Sequence, residues 1–152
     1  MPATASVFLL ERDRQTSIRI GEVLGELGLQ ARVIDKLSDI FKSARVAMPG
    51  AVMIDLSTAG ASDDPHSRMG SDHVLRVLRQ MYPQLCIVLL SATADPRIDA
   101  LSREFQAPML LKPVEAAALR SVLEDCGVLD PPDERPTVLT RARDSAGRAL
   151  VD

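Results

Sequence analysis

The sequence predicts a doubly wound α/β domain, in which five parallel strands form one sheet with helices on both faces. Short apolar runs alternate five times with segments whose apolar residues have helical spacing. The runs "AVMI" and "CIVLL" are apolar without interruption, as strands covered on both faces must be. At 152 residues and 46% hydrophobic, the chain is long enough for one such domain with a full core.

The five predicted strands are runs of β-branched and aliphatic residues that end at polar or turn-forming residues. They are "ASVFLLE" (5–11), "QARVID" (30–35), "AVMID" (51–55), "CIVLLS" (86–91) and "PMLL" (108–111).

The five predicted helices lie between or after these strands. Gly28 ends the first helix, Pro49-Gly50 the second and Pro83 the third, and Pro96 suits the first turn of the fourth, which runs to about Phe105. The apolar stripes of the other four helices are Ile20, Val23, Leu24 and Leu27, then Leu37, Ile40, Phe41 and Ala44, then Val74, Leu75, Leu78 and Met81, and finally Leu119, Val122 and Leu123.

Two segments fall outside the repeat. Residues 56–72 are long for a connection in this kind of domain and rich in Gly, Ser and Asp. Residues 127–152 contain three prolines and mixed charge, which predicts a flexible C-terminal tail. The folded domain is therefore expected to span residues 5–126.

Composition excludes several classes of function. The net charge of -3 and the 3% of aromatic residues argue against direct nucleic-acid binding, which needs a basic surface or stacking platforms. No apolar run is long enough to cross a membrane, and the N-terminus lacks the pattern of an export signal. The two cysteines, Cys86 and Cys126, show no metal-site spacing, so reduced buried thiols in a cytoplasmic protein are expected.

Polar side chains follow four of the predicted strands. They are Glu11, Arg12 and Asp13 after the first strand, Asp55 at the third, Ser91 at the fourth and Lys112 at the fifth. Carboxyl ends of parallel strands meet at one edge, so these residues are expected to form a site there. A carboxylate could accept a phosphoryl group, a hydroxyl and a lysine could contact its oxygens, and acids could hold a divalent cation.

Residues 5–126 resemble the receiver (CheY-like) domains of two-component response regulators, which have a flavodoxin-like fold. The resemblance rests on "VFLLERD" as the acidic cluster after the first strand, "VMID" as the acceptor strand, "IVLLSA" as the switch strand and "LLKP" at the end of the fifth. It implies that Asp55 is the phosphoacceptor, Ser91 the switch hydroxyl and Lys112 the phosphate contact. It also implies Mg²⁺ held by Glu11 and Asp55, and a cis bond before Pro113.

The resemblance further implies a signalling module rather than an enzyme, with autophosphorylation from a phosphodonor and slow self-dephosphorylation as its only chemistry. The expected partners are a histidine kinase or phosphotransfer protein, and a target bound through the face of the fourth helix, fifth strand and fifth helix. The domain could also form homodimers. With no room for an output domain after residue 127, a stand-alone receiver is expected.

The sequence departs from the receiver pattern at three places. Arg12 takes the position of the second metal-binding acid, where a fixed positive charge would repel Mg²⁺ and could pair with Asp55, unless a one-residue shift brings Asp13 into the site. Met109 takes the position of a switch aromatic residue, and the segment 56–72 is about twice the usual length.

Two alternatives to a phosphorylated receiver therefore stay open. One is a pseudo-receiver, a scaffold or adaptor that acts without phosphorylation because Arg12 holds the site in one state. The other is a small flavodoxin-like nucleotide or flavin binder. It is disfavoured because "ERDRQTS", after the first strand, has no glycine with which to cradle a phosphate.

Overall fold

A computed structural model describes residues 5–55 and 71–130, which form a five-stranded parallel sheet with five helices. The strands are β1 (Ser6–Leu10), β2 (Gln30–Val33), β3 (Ala51–Asp55), β4 (Cys86–Ser91) and β5 (Met109–Leu111). The helices are α1 (Arg14–Glu26), α2 (Leu37–Val46), α3 (Ser71–Met81), α4 (Pro96–Glu104) and α5 (Ala116–Asp125).

The strand order β2-β1-β3-β4-β5 confirms the predicted doubly wound fold. The main difference from the predicted elements is that α1 begins before its apolar stripe. Asp13 precedes the helix, and its carboxylate accepts a hydrogen bond of 3.0 Å from the backbone N–H of Thr16. After the helix, Gly28 takes a φ of 80°, which glycine tolerates better than other residues.

The sheet separates two apolar layers because alternate residues of each strand point to opposite faces. Strand residues such as Phe8, Val52 and Ile87 pack with Ile40 of α2 and Leu75 of α3. On the opposite face, the buried residues Val7, Leu9, Met53 and Val88 of the strands pack with Ile20 and Leu24 of α1 and with Leu119 and Leu123 of α5. Helices therefore cover both faces, as the uninterrupted apolar strands require.

The prediction for the two cysteines is wrong, because the structure joins Cys86 and Cys126 in a disulfide. Cys86 is the first residue of β4 and Cys126 follows the last turn of α5, and their Cα atoms lie 5.7 Å apart. Local spacing in the sequence does not indicate this pair, because the fold brings together residues that are 40 positions apart.

The beginning of the predicted tail belongs to the folded part. Val128 and Leu129 are partly buried against the core layer that contains α1 and α5. Their backbone N–H groups both donate to the Leu123 carbonyl, at 2.9 and 3.2 Å. The rest of the tail and residues 56–70 of the long segment lie outside the described residues. Within 5–55 and 71–130, no helix combines the length and apolarity needed to cross a membrane.

Candidate functional site

The register of the strands places four predicted site residues at one edge of the sheet. Leu10 pairs with Ile54, so Glu11 and Asp55 are the next residues on adjacent strands. Asp55 pairs with Leu90, one residue before Ser91. Ser91 in turn pairs with Leu111, one residue before Lys112. From β3 to β5, the site residue at the end of each strand therefore lies one position beyond the partner of the previous site residue.

Lys112 joins the two acids of this edge. Its Nζ donates a 2.8 Å hydrogen bond to Oε1 of Glu11 and also contacts Oδ2 of Asp55. The carboxylate side chains are only 2% and 3% exposed and the lysine side chain 17%. A cation held between two buried carboxylates offsets their repulsion and their loss of hydration.

The pKa of Lys112 reflects two opposed effects. Burial is the largest influence and lowers it, but hydrogen bonds and charge attraction from Asp55 and Glu11 together outweigh burial, so the pKa is raised. Lys112 is therefore firmly protonated at neutral pH. The peptide bond between Lys112 and Pro113 is cis, as the resemblance implies.

Ser91 is buried at the end of β4, and its hydroxyl is engaged by its own loop. Its Oγ donates a 2.6 Å hydrogen bond to the carbonyl of Thr93 and accepts one of 3.3 Å from the N–H of Thr93. To contact an oxygen carried by Asp55, the hydroxyl would have to leave the Thr93 carbonyl. The switch role predicted for Ser91 thus requires a rotation of its side chain.

Asp13 is not brought into the cluster. Its carboxylate accepts hydrogen bonds from the backbone N–H of Thr16 at 3.0 Å and the Thr16 hydroxyl at 2.5 Å. These bonds hold the pKa of Asp13 below its usual value. Arg12 is exposed beside the cluster. The structure therefore does not show the one-residue shift that would bring Asp13 into the site in place of Arg12.

Within residues 5–55 and 71–130, few side chains at this edge could hold a divalent cation. Among the described residues, no three His, Cys, Asp or Glu side chains lie together as a metal site. Glu11 and Asp55 are the acids that approach one another, and the Lys112 ammonium contacts both. Mg²⁺ requires oxygen ligands in octahedral geometry. This donor set fits a resident Mg²⁺ poorly.

Met109 lies at the start of β5 and is partly buried against the core layer that contains α2 and α3. It therefore fills space as a core side chain, whereas Leu111, two residues later, is about half exposed.

A cavity that the sequence analysis did not identify lies beside the site. It has a volume of about 370 Å³ and opens between the start of α1 and the end of β2. The sequence pattern could have indicated Asp35, because this acid lies at the end of a predicted strand, as Asp55 does. Arg14 and Ser17 belong to a helix, and no pattern in the sequence marks them as lining residues. The lining residues are Glu11, Arg12, Arg14, Ser17, Val33, Ile34 and Asp35.

No protein-family model matches the chain, and no curated protein matches its sequence. Many solved structures do resemble its fold. A response regulator from Thermotoga maritima is 19% identical, with a TM-score of 0.67, over 82% of this chain and 98% of its own. The chemotaxis protein CheY4 of Vibrio cholerae is 16% identical, with a TM-score of 0.65, over 82% and 99%.

A third similar structure is the signal receiver domain of an HD domain-containing protein from Pseudomonas fluorescens Pf-5. It is 16% identical, with a TM-score of 0.66, over 83% of this chain and 96% of its own. The fold is thus that of the response regulator receiver domains.

Proposed function

We propose that the chain is a receiver module of two-component signal transduction that accepts a phosphoryl group on Asp55. The observation that carries the proposal is the buried cluster of Asp55, Lys112 and Glu11 at the carboxyl edge of a sheet with the receiver fold. In such sheets, ligands and chemistry collect at this edge. A cytoplasmic location follows from this role as part of the proposal.

The chemistry is a single phosphoryl transfer. An oxygen of the Asp55 carboxylate forms a bond to phosphorus while the bond between phosphorus and the donor's leaving group breaks, and the donor keeps that electron pair. Lys112 already contacts Asp55 and supplies positive charge to the phosphoryl oxygens. Ser91 donates to one of these oxygens once its hydroxyl has left Thr93. The protein is otherwise not an enzyme, since the group stays on it until hydrolysis.

We propose that this transfer depends little on Mg²⁺. Lys112 already supplies a cation to Glu11 and Asp55, Asp13 is committed to capping α1, and Arg12 adds a second positive charge nearby. Two fixed cations disfavour a divalent ion at short range.

The same charges support a second candidate function, a pseudo-receiver that works as a scaffold or adaptor without phosphorylation. Lys112 stabilises the unmodified Asp55 carboxylate, and a reaction that breaks this contact loses that stabilisation. In that case the site has a structural role, and the contacts of Lys112 with Glu11 and Asp55 keep the edge in one conformation.

The proposed partners are proteins in both cases. A histidine kinase or phosphotransfer protein would approach Asp55, and a target would bind the face formed by α4, β5 and α5. On that face, Leu111 is 48% exposed, which gives a partner an apolar contact. Direct binding to nucleic acid is not proposed, given the net charge of -3. A homodimer through the same face is compatible with the proposal.

Incubation with acetyl phosphate, with Mg²⁺ and with EDTA, followed by intact mass measurement, tests the two candidates. The receiver is expected to gain the mass of one phosphoryl group in both conditions, and Asp55→Ala to gain none. Asp130→Ala, which removes an exposed acid, is the matched control and should react as the wild type does. A wild-type protein that gains no mass in either condition would favour the pseudo-receiver.

A further inference from the structure

The disulfide lies at the opposite end of the strands from Asp55. Cys86 opens β4, whereas Ser91 closes it, and Cys126 follows the last turn of α5. The bond therefore fastens the end of a surface helix to the first residue of a core strand. It plays no direct part in the chemistry proposed for the acceptor edge.

The two sulfur-bearing residues have unlike environments. Cys86 is 6% exposed and lies within the core layer that contains α1 and α5, whereas Cys126 is exposed. Thiol–disulfide exchange requires that a thiolate reach one of the sulfurs. Cys126 is therefore the sulfur that reagents in solution reach first, and Cys86 is shielded from them.

The helix holds Cys126 in place independently of the bond. Leu119 and Leu123 are fully buried, so α5 keeps its apolar contacts when the sulfurs are separated. The N–H of Cys126 donates to the Val122 carbonyl at 3.0 Å, and Gly127 follows with a φ of 81° to end the helix. The Cα separation of 5.7 Å lies within the usual range for a disulfide. The thiols would stay neighbours in the reduced protein.

From this arrangement we propose that Cys86 and Cys126 form a redox-responsive clasp, which closes and opens α5 against β4 while the domain stays folded. To close it, the Cys126 thiolate attacks a low-molecular-weight disulfide, such as oxidised glutathione, and one small thiol leaves. The Cys86 thiolate then attacks the Cys126 sulfur and displaces the second small thiol. The protein loses two electrons and two protons, which the small disulfide gains as it becomes two thiols.

The clasp also acts on the acceptor edge, and this part rests on the proposed function. The segment that the bond closes contains both Ser91 and Lys112. Lys112 lies four residues before α5 begins at Ala116, and its Nζ contacts Asp55. Closing the clasp restrains α5 and, through this short connection, the position from which Lys112 reaches Asp55.

Equilibration of the full chain with reduced and oxidised glutathione, followed by iodoacetamide and intact mass measurement, tests the clasp. We expect the oxidised protein to take up no alkyl group and the reduced protein to take up one rapidly, at Cys126. The oxidised protein should melt about 10 °C higher, because the bond limits the unfolded chain. Hydrogen exchange should be slower in α5 of the oxidised protein, with the circular dichroism of both forms alike.

Two variants locate the sulfur that reacts first. Cys126→Ser should remove the difference in melting temperature between the two conditions. Cys86→Ala should instead accumulate a mixed disulfide with glutathione on Cys126, since no second thiol can displace it. The proposal is overturned by a wild type that remains a mixed disulfide, by equal melting temperatures or by a reduced protein that is unfolded. None of these results requires phosphoryl transfer, so this test of the clasp is independent of the proposed function.

Discussion

The ammonium group of Lys112 contacts the carboxylate of Asp55, and the same nitrogen donates a 2.8 Å hydrogen bond to Glu11. Side chains at the carboxyl ends of β1, β3 and β5 thus share one cluster, although Lys112 is 101 positions from Glu11 in the chain. The cluster links the stability of the sheet edge to the residue proposed to accept the phosphoryl group.

Replacement of Lys112 by methionine is expected to destabilise the domain. Methionine keeps much of the apolar stem, but the buried Glu11 and Asp55 carboxylates then lose the cation between them. Breaking a buried pair in this way costs about 3 kcal/mol of unfolding free energy, at the low end of the usual range because Lys112 retains 17% exposure. Urea unfolding of the variant measures the loss.

Lys36→Met is the matched control, since Lys36 is exposed and no ion pair is found for it among the described residues. It should change the unfolding free energy by less than about 0.5 kcal/mol. If both variants had the same stability, the Lys112 cluster would not contribute as argued.

The dependence of stability on alkaline pH follows from the same cluster. Burial lowers the pKa of Lys112, but the contacts with Asp55 and Glu11 raise it further, so the folded-state pKa exceeds that of the unfolded chain. Its contribution to stability is full below the unfolded pKa of about 10.4 and is lost as pH rises through the folded pKa. Urea midpoints measured above about pH 10 should therefore fall more for the wild type than for Lys112→Met. Parallel curves for the two proteins would count against the raised pKa.

Arg12→Asp is expected to create Mg²⁺ binding at millimolar metal. The change removes one positive charge beside Glu11 and Asp55 and adds an oxygen ligand of the kind that Mg²⁺ prefers. Isothermal titration calorimetry with MgCl₂ measures the gain. Arg19→Asp makes the same charge change at an exposed position of α1 and should bind no better than the wild type. Equal binding by the two variants would show that Arg12 does not govern the metal.

Arg79 is expected to be important for stability although it lies far from the acceptor edge. Its guanidinium donates to the carbonyls of Leu85 at 2.6 Å, Phe105 at 3.1 Å and Pro83 at 3.2 Å. Burial lowers its pKa, which indicates a partly desolvated cation. Arg79→Ala leaves these acceptors unpaired and should cost about 2 kcal/mol in urea unfolding.

The neighbouring Arg76 provides the control for this prediction. Its pair with Glu104 spans 3.7 Å between half-exposed side chains, and such pairs contribute little. The Arg76 guanidinium also lies 5.9 Å from the centre of the Phe105 ring, so Arg76→Ala should cost about 1 kcal/mol. A loss at Arg76 equal to that at Arg79 would contradict the role assigned to the carbonyl contacts.

The fold and the position of the site could be predicted because both follow from local pattern. Apolar runs without polar alternation indicate a parallel sheet covered on both faces, and such a sheet brings Asp55, Ser91 and Lys112 to one edge wherever their strands end. The structure places them there, while their roles in phosphoryl transfer stay predictions.

Most of the remaining features depend on contacts between residues that are far apart in the sequence. Asp13 is the cap of α1 rather than a ligand, which only the start of the helix reveals. Cys86 and Cys126 meet because the end of α5 lies against the start of β4. Arg79 donates hydrogen bonds to carbonyl groups that lie outside its own helix. For the two cysteines and for Arg79 the partner is fixed by tertiary packing, whereas the Thr16 partner of Asp13 lies three residues away in the same turn.

The most direct test of the central claim is to trap the acyl phosphate on the protein. After incubation with acetyl phosphate, borohydride reduces an aspartyl phosphate to homoserine, and peptide mass analysis then locates the altered residue. The account predicts homoserine at position 55 and none in protein that was not exposed to the phosphodonor. No homoserine, or homoserine at another acid alone, would contradict the assignment of Asp55 as the phosphoryl acceptor.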